Sequence, residues 1–109
     1  MPATRLAQPV AGFIAAANAQ DVDALTACFT EGAAVHDEKR EWIGIAAIRK
    51  WAVEVSEKYR PTVEVVGVRE TDGRTILAGR VSGEFPGSPV ELRYTFELRA
   101  GKIERLEIG

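Results

Sequence analysis

Residues 33–37, Ala33-Ala34-Val35-His36-Asp37, form a short strand-like stretch between two segments of helical periodicity. Helix-period segments fill residues 1–60 and period-2 segments fill residues 62–108. This order predicts an α+β fold in which three N-terminal helices pack on one curved, mostly antiparallel sheet. The stretch ends an apolar run with the only histidine beside an aspartate, so a strand here would deliver a side chain to the mouth of a helix-covered cavity.

Two helices are predicted before this stretch. The first starts between Arg5 and Pro9, and its apolar stripe comprises Leu6, Val10, Phe13, Ile14 and Ala17. The second has Asp21 as its N-cap and Gly32 as its C-terminal stop, and its inward residues are Val22, Leu25, Cys28 and Phe29.

The stretch is followed by a polar turn over 38–41, a strand stub at Trp42-Ile43, and a third helix from Gly44 to Arg60. The remainder is predicted to be a meander of four strands, Thr62–Glu70, Thr75–Phe85, Val90–Arg99 and Lys102–Ile108. Val65-Val66-Gly67 breaks the alternation as a sheet-bending bulge does. The predicted core comprises Phe13, Leu25, Phe29, Ile48, Trp51, Leu92 and Phe96.

Composition limits the class of protein. With 109 residues the chain is expected to be one domain, 1–109, and its 14 basic and 16 acidic residues include no basic block for nucleic acid or an anionic membrane. No run approaches the roughly 18 apolar residues of a membrane span, and a single cysteine suits a reducing cytoplasm. One histidine and one cysteine exclude the usual zinc ligand sets, whereas carboxylates alone could still hold a hard cation. No metal or other cofactor is assigned.

Several motifs together resemble the NTF2-like superfamily, and more closely its SnoaL-like polyketide-cyclase and ketosteroid-isomerase branch. They are Phe13–Leu25 (FIAAANAQDVDAL), Phe29–Asp37 (FTEGAAVHD), Gly44–Ile48 (GIAAI) and Gly101–Ile108 (GKIERLEI). The resemblance implies a cone-shaped fold and a small-molecule ligand. It leaves the reaction open, because such proteins include isomerases, cyclases, dehydratases, hydrolases and proteins without known catalysis.

Asp37 is the candidate general base. Strand alternation places it on the face of Val35, and an apolar cavity around a carboxylate raises its proton affinity. The resemblance adds that Asp37 falls where ketosteroid isomerases place their base. It puts Phe13 at the position of their oxyanion tyrosine and Tyr94 or Thr95 near that of their protonated aspartate. The alternative is that Asp37 is the polar first residue of the 38–41 turn.

His36 and Tyr94 are the further catalytic candidates. The pKa of an ordinary histidine suits acid-base work near neutral pH, but alternation sends His36 to the face opposite Asp37, where it is a surface or interface residue. Tyr94 lies on the apolar face of its strand and can offer the donor that Phe13 cannot. The alternative for Tyr94 is an ordinary core tyrosine.

The aromatic residues Phe13, Trp42, Trp51 and Phe85 are predicted to line a pocket for a hydrophobic ligand or, alternatively, to fill the core. The resulting hypothesis is that Asp37 abstracts a proton next to the carbonyl of a small hydrophobic molecule, in an isomerase or cyclase. The alternative is a non-catalytic ligand-binding or dimerisation module. The resemblance also implies a homodimer formed through the outer sheet face.

Overall fold

One six-stranded sheet carries the fold in the computed structural model, which describes residues 6–109. The helices in this range are α1 (Gln8–Ala19), α2 (Val22–Thr26) and α3 (Ile45–Tyr59). The strands are β1 (Phe29–Asp37), β2 (Arg40–Ile43), β3 (Thr62–Thr71), β4 (Arg74–Ser82), β5 (Val90–Arg99) and β6 (Lys102–Ile108). The predicted α+β architecture is confirmed. Arg5, the earliest predicted start of α1, lies outside the described residues.

The strand order across the sheet is β2-β1-β6-β5-β4-β3. β1 and β6 run parallel, and every other neighbouring pair is antiparallel. The pairing of β3 with β4 shifts between Val65 and Gly67, which leaves Val66 as the extra residue of the predicted bulge. Because bulges bend and twist a sheet, this one helps to curve it around the helices.

Three hairpins of the sheet have turns with only two central residues. The central residues of each, Glu38-Lys39, Asp72-Gly73 and Ala100-Gly101, all have positive φ, as type I′ turns require. Arg40 and Glu41, predicted as turn residues, already belong to β2. The shorter turn brings the end of β1 and the start of β2 directly opposite each other, with Asp37 paired to Arg40.

Two predicted boundaries are wrong. The second helix ends at Thr26 rather than near Gly32, because the chain joins β6 at once: Ile103 N–H donates to Cys28 O over 2.8 Å, and Gly32 lies within β1. β4 ends at Ser82 rather than Phe85. After Ser82 the Gly83 N–H donates a hydrogen bond of 3.0 Å to Ser88 Oγ in the following loop and not to a neighbouring strand.

The core lies between the helices and the concave side of the sheet. Six of the seven predicted core residues are buried, and Leu92 is the exception because it lies half-buried beside an open cavity. The largest fully buried side chains are Phe96, Ile48, Leu77, Ile103, Leu106, Val10 and Val35. None of the helices in residues 6–109 is long and apolar enough to cross a membrane.

Candidate functional site

A cavity of about 700 Å³ lies between the three helices and the sheet. Its wall is mostly apolar, with contributions from every helix and from β3, β4, β5 and β6. Exposed polar residues at its rim, among them Gln20, Glu38 and Lys39, mark the opening. The volume falls in the range of small-molecule binding sites, roughly 300–1,000 Å³.

Asp37 lies at the end of β1 with its side chain directed into this cavity. Its Oδ2 accepts a hydrogen bond of 3.0 Å from the indole Nε1–H of Trp51, a buried residue in the middle of α3. Burial raises the pKa of Asp37 above its ordinary value, and the negative charge of Glu38 raises it further, while the Trp51 hydrogen bond opposes this shift. The carboxyl group is therefore a stronger base than an ordinary aspartate.

Tyr94 reaches the same cavity from the middle of β5. Burial, and secondarily the negative charge of Asp37, raise its pKa well above the ordinary value, so the phenol keeps its proton. No hydrogen bond joins its hydroxyl to another group of residues 6–109. Since no fully buried side-chain polar atom in that range lacks a partner, the hydroxyl is open to the cavity. A neutral donor and a basic carboxylate therefore share one apolar space.

Gly79 makes room for the Tyr94 ring on the neighbouring strand. A Cβ at this position would lie 2.9 Å from Val63 Cγ1 and 3.1 Å from Tyr94 Cε1. Both distances are shorter than ordinary van der Waals contact. The absence of a side chain at Gly79 thus leaves room for the Tyr94 ring.

His36 also borders the cavity, but its imidazole pairs with Glu41 and not with Asp37 or Tyr94. Its Nδ1 lies 2.8 Å from Glu41 Oε2, and the same carboxylate accepts from Arg105 Nη2 over 3.0 Å. Arg105 and then His36 lower the pKa of Glu41. The imidazole therefore belongs to a half-exposed charged network on the outer face of the sheet, as alternation from Asp37 predicts.

Three of the four predicted aromatic pocket residues, Phe13, Trp51 and Phe85, line the cavity. The ring of Phe13 stacks on Trp51 (6.4 Å between centroids) and meets Tyr94 edge-on (6.4 Å).

Trp42 is not a lining residue. Trp42 lies on β2, is 8% exposed and pairs with the fully buried Val35 of β1. The Arg40 guanidinium lies 4.2 Å from the centre of its ring. β2 is an edge strand under α3, so this ring fills the core.

Sequence reasoning missed several lining residues. Val55 and Tyr59 follow Trp51 at four and eight residues, so the helical stripe of α3 already placed them on its face. A buried indole N–H needs an acceptor, which was a signal for the Trp51 hydrogen bond, but the partner Asp37 is set only by the tertiary fold. The sequence pattern does not distinguish residues that line the cavity from residues that fill the core, as with Val81, Val90 and Ile108.

Comparison with known proteins identifies a family for this chain. The sequence model of the SnoaL-like domain matches residues 10–106. A structure of a candidate polyketide cyclase from Sinorhizobium meliloti has 35% identity and a TM-score of 0.92, with 95% of each chain covered. Among curated proteins, none matches the chain.

More distant structures share the fold. A candidate polyketide cyclase from Xanthomonas campestris has 24% identity and a TM-score of 0.79, covering 92% of this chain and 85% of its own. A Catenulispora acidiphila protein with a ketosteroid isomerase-like fold, in complex with trimethylamine, has 14% identity and a TM-score of 0.84, covering 96% and 86%.

Proposed function

We propose, from the premise that this chain belongs to the SnoaL-like domain family of the NTF2-like superfamily, that its cavity binds a small, largely apolar molecule carrying a carbonyl group. The apolar wall supports an apolar ligand body, and the open Tyr94 hydroxyl supports a carbonyl oxygen as the group it meets. The similar structure from Sinorhizobium meliloti, a candidate polyketide cyclase, agrees with such a ligand.

In the proposed reaction, Asp37 acts as general base. The carboxylate takes a proton from the carbon next to the carbonyl, the C–H electron pair moves into the new C=C bond, and negative charge develops on the carbonyl oxygen. Tyr94 donates its O–H to that oxygen and stabilises it. Returning the proton to another carbon isomerises a double bond, whereas attack of the enolate carbon on a second carbonyl closes a ring.

One observation carries this proposal: Asp37 and Tyr94 face one apolar cavity, where burial raises the pKa of the carboxyl group and that of the phenol. A second candidate is a non-catalytic ligand-binding module. Phe13 favours it, because a phenyl ring lies next to Tyr94 and supplies no second donor to a developing oxyanion.

We further propose that the protein works in the cytoplasm as a homodimer paired through the outer sheet face. Half-exposed Cys28 is a free thiol, which suits a reducing compartment. On the outer face, Glu91 and Arg93 of β5 border a second depression. A two-fold axis there would bring opposite charges together.

Asp37→Asn tests the proposed reaction because it keeps the shape of the side chain and removes its basicity. With 2-tetralone as the ketone, we expect hydrogen–deuterium exchange next to the carbonyl, followed by NMR, to fall about 100-fold or more. Binding of 2-tetralone should change by less than about threefold.

Asp72→Asn is the matched control, since Asp72 is an exposed residue of the β3–β4 turn with a positive φ that asparagine tolerates. It should exchange like wild type. Binding without exchange in wild type supports the non-catalytic module, and loss of both binding and exchange in Asp37→Asn assigns Asp37 a structural role.

A further inference from the structure

Tyr59, the last residue of α3, contacts two segments at the mouth of the cavity. Its hydroxyl donates a hydrogen bond of 2.8 Å to Oε2 of Glu38, in the turn between β1 and β2. Its ring meets Phe85 edge-on at 5.7 Å, in the loop after β4. Its backbone carbonyl accepts from Glu84 N–H over 2.7 Å. Tyr59 therefore ties two separate segments of the rim to α3.

Glu38 is adjacent to Asp37 in the chain. The turn that carries Glu38 has only two central residues, both with positive φ, so a displacement of Glu38 is passed directly to the end of β1. The Trp51 indole holds Asp37 Oδ2 from the middle of α3, and Tyr59 holds the next residue from two turns further along the same helix. Two side chains of α3 therefore hydrogen-bond to the adjacent residues Asp37 and Glu38.

We propose that Tyr59 is a positioning residue. Its hydrogen bond to Glu38, called the latch below, holds the Asp37 carboxylate in its position relative to the Tyr94 hydroxyl. This inference rests on the proposed function for its kinetic consequences. The latch itself is a property of the free protein and can be measured without a substrate.

Charge and position can be separated, because Glu38 contributes both. Within residues 6–109, the charged or titratable groups around Asp37 include its neighbours His36, Glu38 and Lys39, Arg40 across the hairpin and Tyr94 on β5. From α3, Tyr59 and Lys58 face Glu38. Among these groups, Glu38 raises the pKa of Asp37 by repulsion and His36 lowers it. Glu38→Gln removes the repulsion but keeps an oxygen that accepts the Tyr59 hydroxyl. Tyr59→Phe removes the hydroxyl but keeps the ring contact with Phe85 and the backbone bond to Glu84.

In Tyr59→Phe, we expect kcat for exchange of 2-tetralone to fall about tenfold, since a small misplacement of a reacting group is costly, while KM changes by less than about threefold. In Glu38→Gln, we expect kcat on the high-pH plateau to fall by less than in Tyr59→Phe, because the amide oxygen still accepts the Tyr59 hydroxyl. Its rise with pH should begin at lower pH, because the Asp37 pKa falls when the repulsion is lost.

Amide hydrogen exchange tests the latch independently of catalysis. The Arg40 amide, at the closing pair of the turn, should exchange about tenfold faster in Tyr59→Phe and within about threefold of wild type in Glu38→Gln. If wild type fails to exchange 2-tetralone, the proposed reaction fails and the Arg40 amide alone decides the latch. Unchanged kcat and an unchanged Arg40 amide in Tyr59→Phe overturn the inference, as does a loss of kcat in Glu38→Gln equal to that in Tyr59→Phe.

Discussion

At the scale of single residues, strand alternation is the strongest predictor in this chain. It placed Asp37 with Val35 on the inner face and His36 on the outer one, and the hydrogen bonds of both residues agree. The hydrogen bond between Trp51 and Asp37 could not be predicted, because it joins residues 14 positions apart whose meeting depends on how α3 crosses β1. The burial that raises the pKa of Asp37 likewise depends on the tertiary fold.

Tyr94→Phe removes the proposed oxyanion donor and leaves the ring. We expect the rate of 2-tetralone exchange to fall about 10- to 100-fold, because a neutral donor aimed at developing charge stabilises the transition state more than the ground state. Binding of the ketone, followed by isothermal titration calorimetry, should weaken by less than about fivefold. An exchange rate equal to that of wild type would show that the enolate oxygen lies elsewhere in the cavity.

At the scale of elements, regular alternation of apolar and polar residues predicts the bounds of a strand well. The ends of apolar segments are predicted poorly. The alternating β5 was predicted with its observed bounds, Val90–Arg99. Cys28 and Phe29 satisfy a helical stripe as well as a strand, so periodicity alone could not end α2 at Thr26. Phe85 continues the two-residue spacing of Leu77, Gly79 and Val81, but its ring packs on Tyr59, a contact that the local sequence does not encode.

Gly79→Ala tests how β4 positions the donor on β5. The new methyl group would meet Val63 and the Tyr94 ring, so we expect a loss of about 1–3 kcal/mol in the free energy of unfolding, measured by urea denaturation. The displaced Tyr94 should also lower the exchange rate of 2-tetralone.

Gly67→Ala is the matched control for this substitution, since a Cβ there meets nothing within 4 Å. It should leave both stability and exchange near wild type. Equal stability of the Gly79→Ala and Gly67→Ala proteins would contradict the packing argument.

At the scale of the whole molecule, the resemblance and the pattern order together predicted the cone, but not how much of it is empty. The same residue types fill a core and line a cavity, as Trp42 and Leu92 show in opposite directions: the predicted lining residue is packed, and the predicted core residue borders the opening. The difference depends on the curvature of the sheet and the distance of each strand from α3. Neither quantity is written in the pattern of a single strand.

Assembly is also a property of the whole molecule. We expect sedimentation equilibrium to give a dimer, and Arg93→Glu, which reverses a charge near the middle of β5, to raise the dimer dissociation constant about tenfold or more. Added salt should weaken the wild-type dimer where its ion pairs are exposed.

Lys50→Glu, the same charge reversal on the exposed side of α3, should leave the dimer intact. A wild-type protein that stays monomeric at millimolar concentration contradicts this assembly.

The central claim is that Asp37 is a base whose strength comes from the cavity around it, and NMR titration of its carboxyl carbon tests that claim most directly. We predict a pKa above about 3.9, the ordinary value for an aspartate. Because only the ionised carboxylate accepts a proton, the rate of 2-tetralone exchange in the free enzyme, as kcat/KM, should rise with pH through that same pKa and then level off. An Asp37 pKa at or below the ordinary value, or an exchange rate that rises through a different pKa, would contradict the account.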